Sequence, residues 1–342
     1  MKQFNLCFLG FGNVGRALAR LLLAKWAELR EDYGIEWSIT GVATRRLGWL
    51  TKSDGYDVGA FGSDGAAFKD SLRTTGIGDW LREAHADVVF ETTSLDHKSG
   101  QPAIDYIKMI LQSGAHAITA NKGTVVYAYE ELSEMARSLG KRFLFETTVN
   151  DGAPVFSLFR ETLPAVRLRG FSGVLNSTSN VIIETLEAGR TFEEGVKIAQ
   201  ELGIAETDPT HDVDGWDATM KVCALARVLM KIPLMPSDVQ REGIRTLTVK
   251  AAQAARAEGR PFKLVARAKL AGDNALLASV KPEQVGTNEP LGSVRGTSLA
   301  VHFELDMIPG LTVITHRPNL QSTAYGLLAD FISAVRTEVS QK

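Results

Sequence analysis

The sequence predicts an α/β fold in which a Rossmann-type, doubly wound parallel sheet is followed by a second, α+β domain. Up to about residue 150, short β-rich runs alternate with helical periodicities of apolar residues, a pattern typical of a parallel sheet with helices on both faces. A glycine-rich turn directly follows the first apolar run and precedes a helical pattern. After Pro154 strand patterns cluster among helices, which favours a mixed or antiparallel second sheet.

The alternation in the first part predicts its elements in order. The predicted strands are Asn5–Leu9, Ser38–Ala43, Asp87–Phe90, His116–Thr119 and Phe143–Phe145. The helices predicted from apolar spacing are Arg16–Arg30, Gln101–Ser113 and Tyr129–Gly140. The segment Thr51–Gly78 is rich in Gly, Asp and Ser, and it predicts loops with one short helix.

The second part begins with a predicted strand at Arg169–Leu175. Helices are predicted at Asn180–Ala188, Thr191–Leu202 and Asp214–Met230, and the second of them opens with a capping-box spacing, Thr191 to Glu194. The later elements are strands at Val265–Leu270, Ala275–Val280, Leu299–Leu305 and Thr312–Thr315, then a closing helix at Ser322–Val335.

Length and composition limit the class of protein. The 342 residues are enough for two domains, and we assign residues 1–150 to the first, 151–321 to the second, and 322–342 to a helix that returns to the first. The net charge of −2 gives no reason to expect nucleic acid or a membrane as partner. Cys7 and Cys223 lie far apart in apolar runs, which suits reduced core thiols in a cytoplasmic protein.

The turn after the first strand has the form of a dinucleotide-binding fingerprint. Its residues are Gly10, Phe11, Gly12, Asn13, Val14 and Gly15. Gly10 permits the tight turn, Gly12 lets the backbone approach the pyrophosphate, and Gly15 allows the helix to pack closely on the strand. The N-terminus of the following helix offers N–H groups to the phosphates. This placement favours a nicotinamide dinucleotide, and hence a dehydrogenase, over a purely structural turn.

Two further stretches bear on the cofactor. Where NAD enzymes carry an acidic residue at the end of the second strand, this chain has Thr44, Arg45 and Arg46. Two guanidinium groups suit the 2′-phosphate of NADP by charge and bidentate geometry, whereas solvated surface arginines would leave NAD as the cofactor. Thr92 and Thr93 follow the third clear strand and are expected to line the nicotinamide ribose, unless they only cap the loop.

The acidic stretch from Glu206 to Asp217 continues into a helix that contains Lys221. Asp217 and Lys221 are four residues apart and share one helical face. The carboxylate can therefore position an ammonium that exchanges a proton with a substrate hydroxyl. One alternative is a solvated loop with an ordinary surface ion pair. The other is a metal site that includes His211, although the stretch has no recognised ligand spacing.

Three ordered motifs add a family resemblance. Thr119-Ala120-Asn121-Lys122 is similar to a T-A-N-K motif, and residues 173–180 are similar to a G-I-L-N-G-T-T-N motif. Residues 202–209, with Asp212, Asp217 and Lys221 after them, are similar to a substrate signature. Over about residues 5–230 the chain thus resembles homoserine dehydrogenase, in the short form without a C-terminal regulatory domain, and no such domain is expected.

The resemblance implies reversible reduction of aspartate 4-semialdehyde to homoserine, in the biosynthesis of amino acids such as threonine and methionine. It implies that Lys221 donates the proton, that Asp217 orients it, and that Lys122 assists proton transfer or holds the substrate. The other implied residues are Glu206, Asp212, Asn176 and Thr178 for the substrate, and Gly203 near the cofactor. The second domain would bind the substrate and form a homodimer.

The resemblance also implies a monovalent cation, such as sodium, held by a glutamate and main-chain carbonyls. Glu146, Val149 and Asp151 are the corresponding candidates, although Asn150 and Asp151 replace small residues of the family. A strand-end loop without an ion is the alternative interpretation.

The largest departure from the family pattern lies near the C-terminus. A glycine-rich G-x-G-A-G turn of the family is replaced by a run that contains Arg317, Pro318 and Asn319, which must change the local backbone. This change fits either a variant lid over the same substrate or a sister dehydrogenase of another small amino- or hydroxy-acid. A non-catalytic dinucleotide sensor is a further alternative, but such a protein needs neither Lys122 nor Lys221.

Overall fold

The computed structural model describes residues 1–61, 66–272 and 275–339. The chain forms two compact units. The first comprises Met1–Pro154 and the described residues from Asn319 onward, and the second comprises Val155–Pro318. Each unit has its own sheet.

The first unit contains a sheet with the strand order β4-β3-β2-β1-β5-β6-β7. The strands are β1 (Lys2–Leu9), β2 (Ile35–Thr44), β3 (Gly48–Thr51), β4 (Leu72–Thr74), β5 (Val88–Glu91), β6 (His116–Thr119) and β7 (Phe143–Leu144). The run from β2 to β7 is parallel, whereas β3 and β4 extend it antiparallel. The end of β1 is buried on both faces, which explains its continuous apolar run.

Helices lie between most of the parallel strands of this sheet, and a short one follows its last strand. They are α1 (Asn13–Ala24), α2 (Trp26–Glu31), α3 (Ile77–Glu83), α4 (Ala103–Gln112), α5 (Lys122–Ser138) and α6 (Thr147–Asn150), with 3-10 turns at Val58–Ala60 and Ala66–Phe68. Because parallel strands need a crossover that returns the chain to the same edge, the helices place every β-to-α turn at the carboxyl ends of the strands.

The second unit is built on a sheet with the order β13-β12-β8-β10-β11-β9. The strands are β8 (Leu168–Val174), β9 (Gln240–Arg241), β10 (Phe262–Leu270), β11 (Leu276–Gln284), β12 (Leu299–Leu305) and β13 (Leu311–Thr315). The pairings are antiparallel except for β11 with β9, so the sheet is mixed, as predicted. Its helices are α7 (Ser177–Glu187), α8 (Phe192–Glu201), α9 (Thr210–Val213), α10 (Trp216–Leu225) and α11 (Val249–Ala257), with π-helical turns at Leu158–Thr162 and Ala226–Met230.

The last helix, α12 (Leu320–Val339), belongs to the first unit. Its Phe331 is fully buried and meets the rings of Phe4 and Phe90 edge to face, with centroids 6.1 Å apart in each case. Its Asp330 accepts a hydrogen bond from the backbone N–H of Glu146 at 2.8 Å. The end of the chain therefore completes the core that its first strand begins.

Several sequence predictions for local structure were wrong. The helix predicted at Arg16–Arg30 is interrupted at Lys25, whose backbone leaves the helical region. Thr51–Gly78 was predicted as loops with one short helix, but it contains β4 and the end of β3, because two short strands extend the sheet through antiparallel pairing. Within that segment residues 62–65 lie outside the described residues, as do residues 340–342 of the predicted C-terminal segment.

Several short elements were missed entirely, and α5 was predicted too short. The helix α5 begins at Lys122 rather than Tyr129, because the side chain of Asn121 caps its N-terminus. The missed elements are the short β3, α6, α9 and β9, and the longer helix α11. The Thr248 side chain caps α11 ahead of an alanine-rich run, a signal that could have predicted this helix.

Candidate active site

The glycine turn lies between the carboxyl end of β1 and the N-terminus of α1. Gly10 has φ +92°, and a Cβ there would lie 2.6 Å from the Thr92 carbonyl oxygen. A Cβ at Gly12 would have no neighbouring atom within 4 Å, whereas a Cβ at Gly15 would lie 3.0 Å from the Gly10 carbonyl oxygen. Asn13 and Val14 open α1, whose N-terminus has no side-chain cap. This geometry leaves room and N–H donors for an anion at Gly12.

The end of β2 carries the predicted adenosine-side residues. Arg45 and Arg46 are exposed, and Arg45 donates a hydrogen bond of 3.2 Å to the hydroxyl of Ser94 in the loop after β5. The hydroxyl of Thr44 accepts a hydrogen bond from the N–H of Leu47, which shapes the turn. The two guanidinium groups thus lie at the strand end where dinucleotide-binding sheets bind the adenosine ribose.

A buried glutamate at the end of β5 was missed as a site residue. The Glu91 carboxylate accepts hydrogen bonds from the N–H of Thr93 at 2.8 Å and from its hydroxyl at 2.5 Å, and the second oxygen accepts one from Thr119 at 2.5 Å. Burial raises the pKa of the Glu91 carboxyl above its ordinary value, although these hydrogen bonds act in the opposite direction. A charged residue at the end of an apolar strand was the available signal.

Glu91 joins the end of β5 to the start of α5. The hydroxyl of Thr119 also accepts a hydrogen bond from the N–H of Asn121. Asn121, like Glu91, was not predicted as a site residue. The side chain of Asn121 in turn caps the helix that begins with Lys122. On the other side, the Thr92 hydroxyl donates to the carbonyl of Gly10 at 3.0 Å. The predicted residues Gly10, Thr92, Thr93 and Lys122 are therefore held in one continuous network.

Three polar side chains converge in the second unit. Asn176 stands at the N-cap of α7, where its side-chain oxygen accepts from the N–H of Ser179. Its amide nitrogen donates to Asp212 at 2.7 Å and to Asp217 at 3.1 Å. Burial, and next the charge of Asp217, raise the pKa of Asp212. Asp212 and Asp217 are 36 and 41 residues from Asn176 in sequence, and the fold brings both carboxylates to its side-chain amide.

Lys221 joins this cluster from the next turn of α10. Its ammonium lies 3.0 Å from the Asp217 carboxylate and donates to the carbonyl of Leu175 at 2.6 Å. The two side chains are 12% and 17% exposed, so the alternative of an ordinary surface ion pair is wrong. Within the residues that the structure describes, no group of three or more His, Cys, Asp and Glu side chains is arranged so that it could hold a metal ion.

The remaining predicted residues of this unit lie around the cluster to different degrees. The hydroxyl of Thr178 donates to the carbonyl of Ile204 at 2.9 Å, beside Gly203. Gly203 has φ +71° in the exposed turn after α8. Glu206 is exposed, and no hydrogen bond or ion pair among the described residues joins its carboxylate to the cluster.

The loop at residues 146–151 belongs to the first unit. Glu146 and Val149 are buried, and Asp151 has φ +50° and accepts a hydrogen bond from the Thr323 hydroxyl at 3.1 Å. Asn150 is fully buried, and neither atom of its amide has a hydrogen-bond partner among the described residues. A buried amide of this kind calls for a further partner, which a bound ion or water would supply.

The run that replaces the family's glycine turn has two parts. Arg317 has φ +48°, a conformation that favours glycine, and its N–H donates to the hydroxyl of Ser298 at 3.3 Å. Asn319 then caps the start of α12 by accepting hydrogen bonds from the N–H groups of Gln321 and Ser322. The arginine thus keeps a left-handed backbone without a glycine.

Comparison with known proteins gives consistent matches along the chain. The sequence model described as "Homoserine dehydrogenase, NAD binding domain" matches residues 10–146, and the one described as "Homoserine dehydrogenase" matches residues 154–332. An NAD(+)-dependent homoserine dehydrogenase of Pseudomonas canavaninivorans is 33% identical over 97% of this chain and 96% of its own length. A homoserine dehydrogenase of Methanocaldococcus jannaschii is 32% identical over 96% and 97%, respectively.

A solved structure extends the likeness to three dimensions. A hyperthermophilic archaeal homoserine dehydrogenase mutant in complex with NADPH has a TM-score of 0.81 and 25% identity, and the match covers 98% of both chains. None of the helices in the described part of this chain has the length and hydropathy needed to cross a membrane.

Proposed function

The chain belongs to the homoserine dehydrogenase family, and from this premise we propose which of its residues carry out each step. It is an NAD(P)-dependent homoserine dehydrogenase. In the oxidative direction a hydride leaves C4 of homoserine for the nicotinamide ring, and the hydroxyl loses its proton, which gives aspartate 4-semialdehyde and the reduced dinucleotide. The dinucleotide supplies the redox chemistry. The protein binds and orients the substrate and the dinucleotide, and it transfers the proton.

Lys221 exchanges the proton with the substrate oxygen. One observation carries this assignment: its ammonium is largely buried and is held between the Asp217 carboxylate and the Leu175 carbonyl, so its position is well defined. In the reductive direction the lysine donates a proton to the nascent alkoxide, and Asp217 orients it. Lys122 assists proton transfer or holds the substrate from the first residue of α5.

The substrate is an amino acid, so its ammonium needs acidic partners. Asp212 and Glu206 provide them, and Asn176 and Thr178 complete the pocket. The support for Asp212 is its hydrogen bond to the same amide that contacts Asp217. The exposed position of Glu206 leaves its carboxylate accessible to an incoming substrate.

The central assignment is tested by replacing Lys221. Lys221→Met should lower kcat for homoserine oxidation by about 100-fold or more, because proton transfer loses its acid–base group. Dinucleotide affinity, measured by fluorescence titration, should stay unchanged. Lys197→Met is the matched control, since Lys197 forms an exposed i,i+4 pair with Glu201. Normal turnover by Lys221→Met would remove the proposed mechanism.

The same assay distinguishes homoserine from other substrates. The replaced glycine turn at Arg317–Asn319 is the reason to include other small amino alcohols and hydroxy acids. Homoserine should give the highest kcat/KM of the set. A larger value for another compound would show that the chain is a sister dehydrogenase, and binding without turnover of any of them would favour a sensor.

NADP is the preferred dinucleotide in this proposal, held at Gly10, Gly12, Asn13, Val14, Gly15, Thr44, Arg45, Arg46, Thr92, Thr93, Lys122 and Gly203. Arg45 and Arg46 suit its 2′-phosphate. One relative is described as NAD(+)-dependent and another was solved with NADPH, so both dinucleotides occur among similar proteins. Replacing both arginines with alanine should lower kcat/KM for NADP at least tenfold and leave that for NAD within twofold. Arg137→Ala, at an exposed arginine of α5, is the control.

A monovalent cation such as sodium binds the loop with Glu146, Val149 and Asp151. The residues fit an ion of this class, because Glu146 is buried and the neighbouring Asn150 amide oxygen has no partner among the described residues. Sodium chloride should raise the thermal unfolding temperature more than an equal concentration of N-methylglucamine chloride, and Glu146→Gln should remove the difference. An equal effect of the two salts on the wild type would exclude the ion, and an unchanged difference in Glu146→Gln would exclude Glu146 as its ligand.

The second unit also pairs two chains into a homodimer, and the location is cytoplasmic. The support for the location is that Cys7 and Cys223 are both buried free thiols. Sedimentation equilibrium should give twice the mass of one chain, and a mass equal to one chain would exclude the dimer.

A further inference from the structure

A lysine of the second unit lies entirely inside the protein and takes no part in the steps above. Lys263 is the second residue of β10, and its side chain is 0% exposed. Its ammonium donates to the side-chain oxygen of Asn180 at 2.7 Å and to the carbonyl of Val294 at 2.7 Å, and it lies 3.4 Å from the Glu184 carboxylate. Three donors thus have three acceptors, which is the full capacity of an ammonium.

The partners of Lys263 connect α7 to the segment of residues 294–298. Asn180 donates from its amide nitrogen to the carbonyl of Gly296 at 2.6 Å. Glu184 accepts from the N–H of Gly296 at 2.9 Å. One turn earlier, the hydroxyl of Ser177 donates to the carbonyl of Thr297 at 2.7 Å. One face of α7 is therefore attached to this segment through its first two turns.

The start of the same helix holds the substrate cluster. Asn176 caps α7, four residues before Asn180, and its amide contacts Asp212 and Asp217. The carbonyl of Leu175, the preceding residue, accepts the hydrogen bond from Lys221. Since a helix turn is stiff, a shift of α7 at Asn180 moves Asn176 and the Leu175 carbonyl with it. The contacts of Lys263 and those of Lys221 thus meet on one short element.

We propose that Lys263 is a positioning residue for the substrate pocket: its buried ammonium fixes the first turns of α7 and, through them, the arrangement of Asn176, Asp212 and Lys221. The inference rests on the proposed function, because it gives these three residues their roles. It adds a residue that contacts neither the substrate nor the dinucleotide and is separated in sequence from every motif of the site.

The chemistry of the contact explains why a lysine is present at this position. Asn180, Glu184 and the Val294 carbonyl all present oxygen atoms to the same buried point, so an apolar side chain there would leave buried acceptors without donors. Burial lowers the pKa of Lys263, whereas the charge of Glu184 raises it. The three oxygen acceptors thus stabilise the Lys263 ammonium in place of water, and the ammonium fixes the positions of these acceptors.

The test compares Lys263→Met with Lys250→Met, which removes an exposed lysine from α11 of the same unit. Lys263→Met should raise KM for homoserine and lower kcat/KM by roughly 10- to 100-fold, because the pocket residues move from their working positions. The dissociation constant for NADP should stay within twofold, and Lys250→Met should match the wild type in every respect. A loss of folded protein alone would lower kcat without raising KM, so the rise in KM is the decisive measurement.

A second variant guards against the failure of Lys263→Met to fold. Glu184→Gln keeps an oxygen for the N–H of Gly296 but removes the charge opposite Lys263, and its side chain is 24% exposed, so it should fold. It should raise KM for homoserine in the same direction by a smaller factor. An unchanged homoserine KM in Glu184→Gln and in any Lys263→Met that folds, alongside an inactive Lys221→Met, would overturn this inference alone. An active Lys221→Met would instead overturn the proposed function.

Discussion

Several ionisable side chains of this chain are wholly or partly shielded from water. Glu91 in the first unit, and Asp212 and Lys263 in the second, all have pKa values displaced toward the neutral form by burial. Each of them is hydrogen-bonded to residues that order a loop or a helix start. Burial of these groups disfavours their charged forms, while their hydrogen bonds fix the local geometry. Groups with shifted pKa values of this kind are common near functional sites.

Glu91 makes this cost measurable through pH. The pKa of Glu91 is higher in the folded state than in the unfolded chain, so the unfolded chain loses this proton at a lower pH. Between the two pKa values, the free energy of unfolding therefore falls as the pH rises. Glu91→Gln has no proton to lose. The unfolding free energy of the variant minus that of the wild type should therefore rise from about pH 4 upward, by up to about 1.4 kcal/mol per pH unit.

Urea unfolding of both proteins at several pH values measures this difference. Glu83→Gln, at an exposed position of α3, is the matched control and reports the effect of the substitution without burial. A difference for Glu91→Gln that does not change with pH would contradict the prediction.

The glycine turn allows a second residue-level prediction, because two of its glycines have different surroundings. A Cβ at Gly10 would meet the Thr92 carbonyl oxygen and φ is +92°, so Gly10→Ala should destabilise the protein by at least about 1 kcal/mol. Gly12 has open space around it and φ −81°, so Gly12→Ala should unfold like the wild type. It should nevertheless bind NADP at least tenfold more weakly, because the methyl group occupies the place of the pyrophosphate.

Thermal unfolding and fluorescence titration together separate the two roles. If Gly12→Ala bound NADP as tightly as the wild type, the turn would not approach the dinucleotide, and the fingerprint interpretation would be wrong.

At the level of elements, the sequence predicted those with strong local signals. β1, β5 and β6 are buried apolar runs bounded by polar residues, and the structure confirms them with small changes at their ends. β3, β4 and β9 have two to four residues each and depend on pairing with a neighbouring strand, which no local pattern contains. Sequence periodicity therefore could not predict the short strands at or next to the sheet edges.

The helix α8 shows a local signal at its clearest. Thr191 accepts a hydrogen bond from the N–H of Glu194, and the Glu194 carboxylate accepts one from the N–H of Thr191, which is the capping box that the sequence predicted. Thr191→Ala should lower the unfolding free energy by about 1 kcal/mol, because the first turn of the helix loses its acceptor. Thr191→Ser keeps the hydroxyl and should retain most of the stability in urea unfolding. Equal stability of Thr191→Ala and the wild type would show that the box contributes nothing.

At the level of the whole chain, the networks around the candidate site are built from contacts between distant residues. The motifs pointed to Asn176, Asp212, Asp217 and Lys221 separately, but only folding shows that one amide contacts both carboxylates. Glu91 and Lys263 were not predicted because their importance comes from partners that lie far away in sequence, such as Thr119 for the first and Asn180 for the second. The sequence therefore predicts residues that stand in a recognisable motif, but not residues such as Glu91 and Lys263, whose partners are distant in sequence.

The return of α12 to the first unit makes the stability of the opening strand depend on the last residues of the chain. Phe331 is fully buried and packs edge to face against Phe4 of β1 and Phe90 of β5. Phe331→Ala should lower the unfolding free energy by about 3–5 kcal/mol, because it leaves a cavity beside the central strands. Tyr325→Ala is the matched control in the same helix, since Tyr325 is 54% exposed and its loss should cost no more than about 0.5 kcal/mol. If the two variants proved equally stable in urea unfolding, α12 would not complete the core of the first unit, and the residues proposed to bind the dinucleotide at the ends of β1 and β5 would not depend on it.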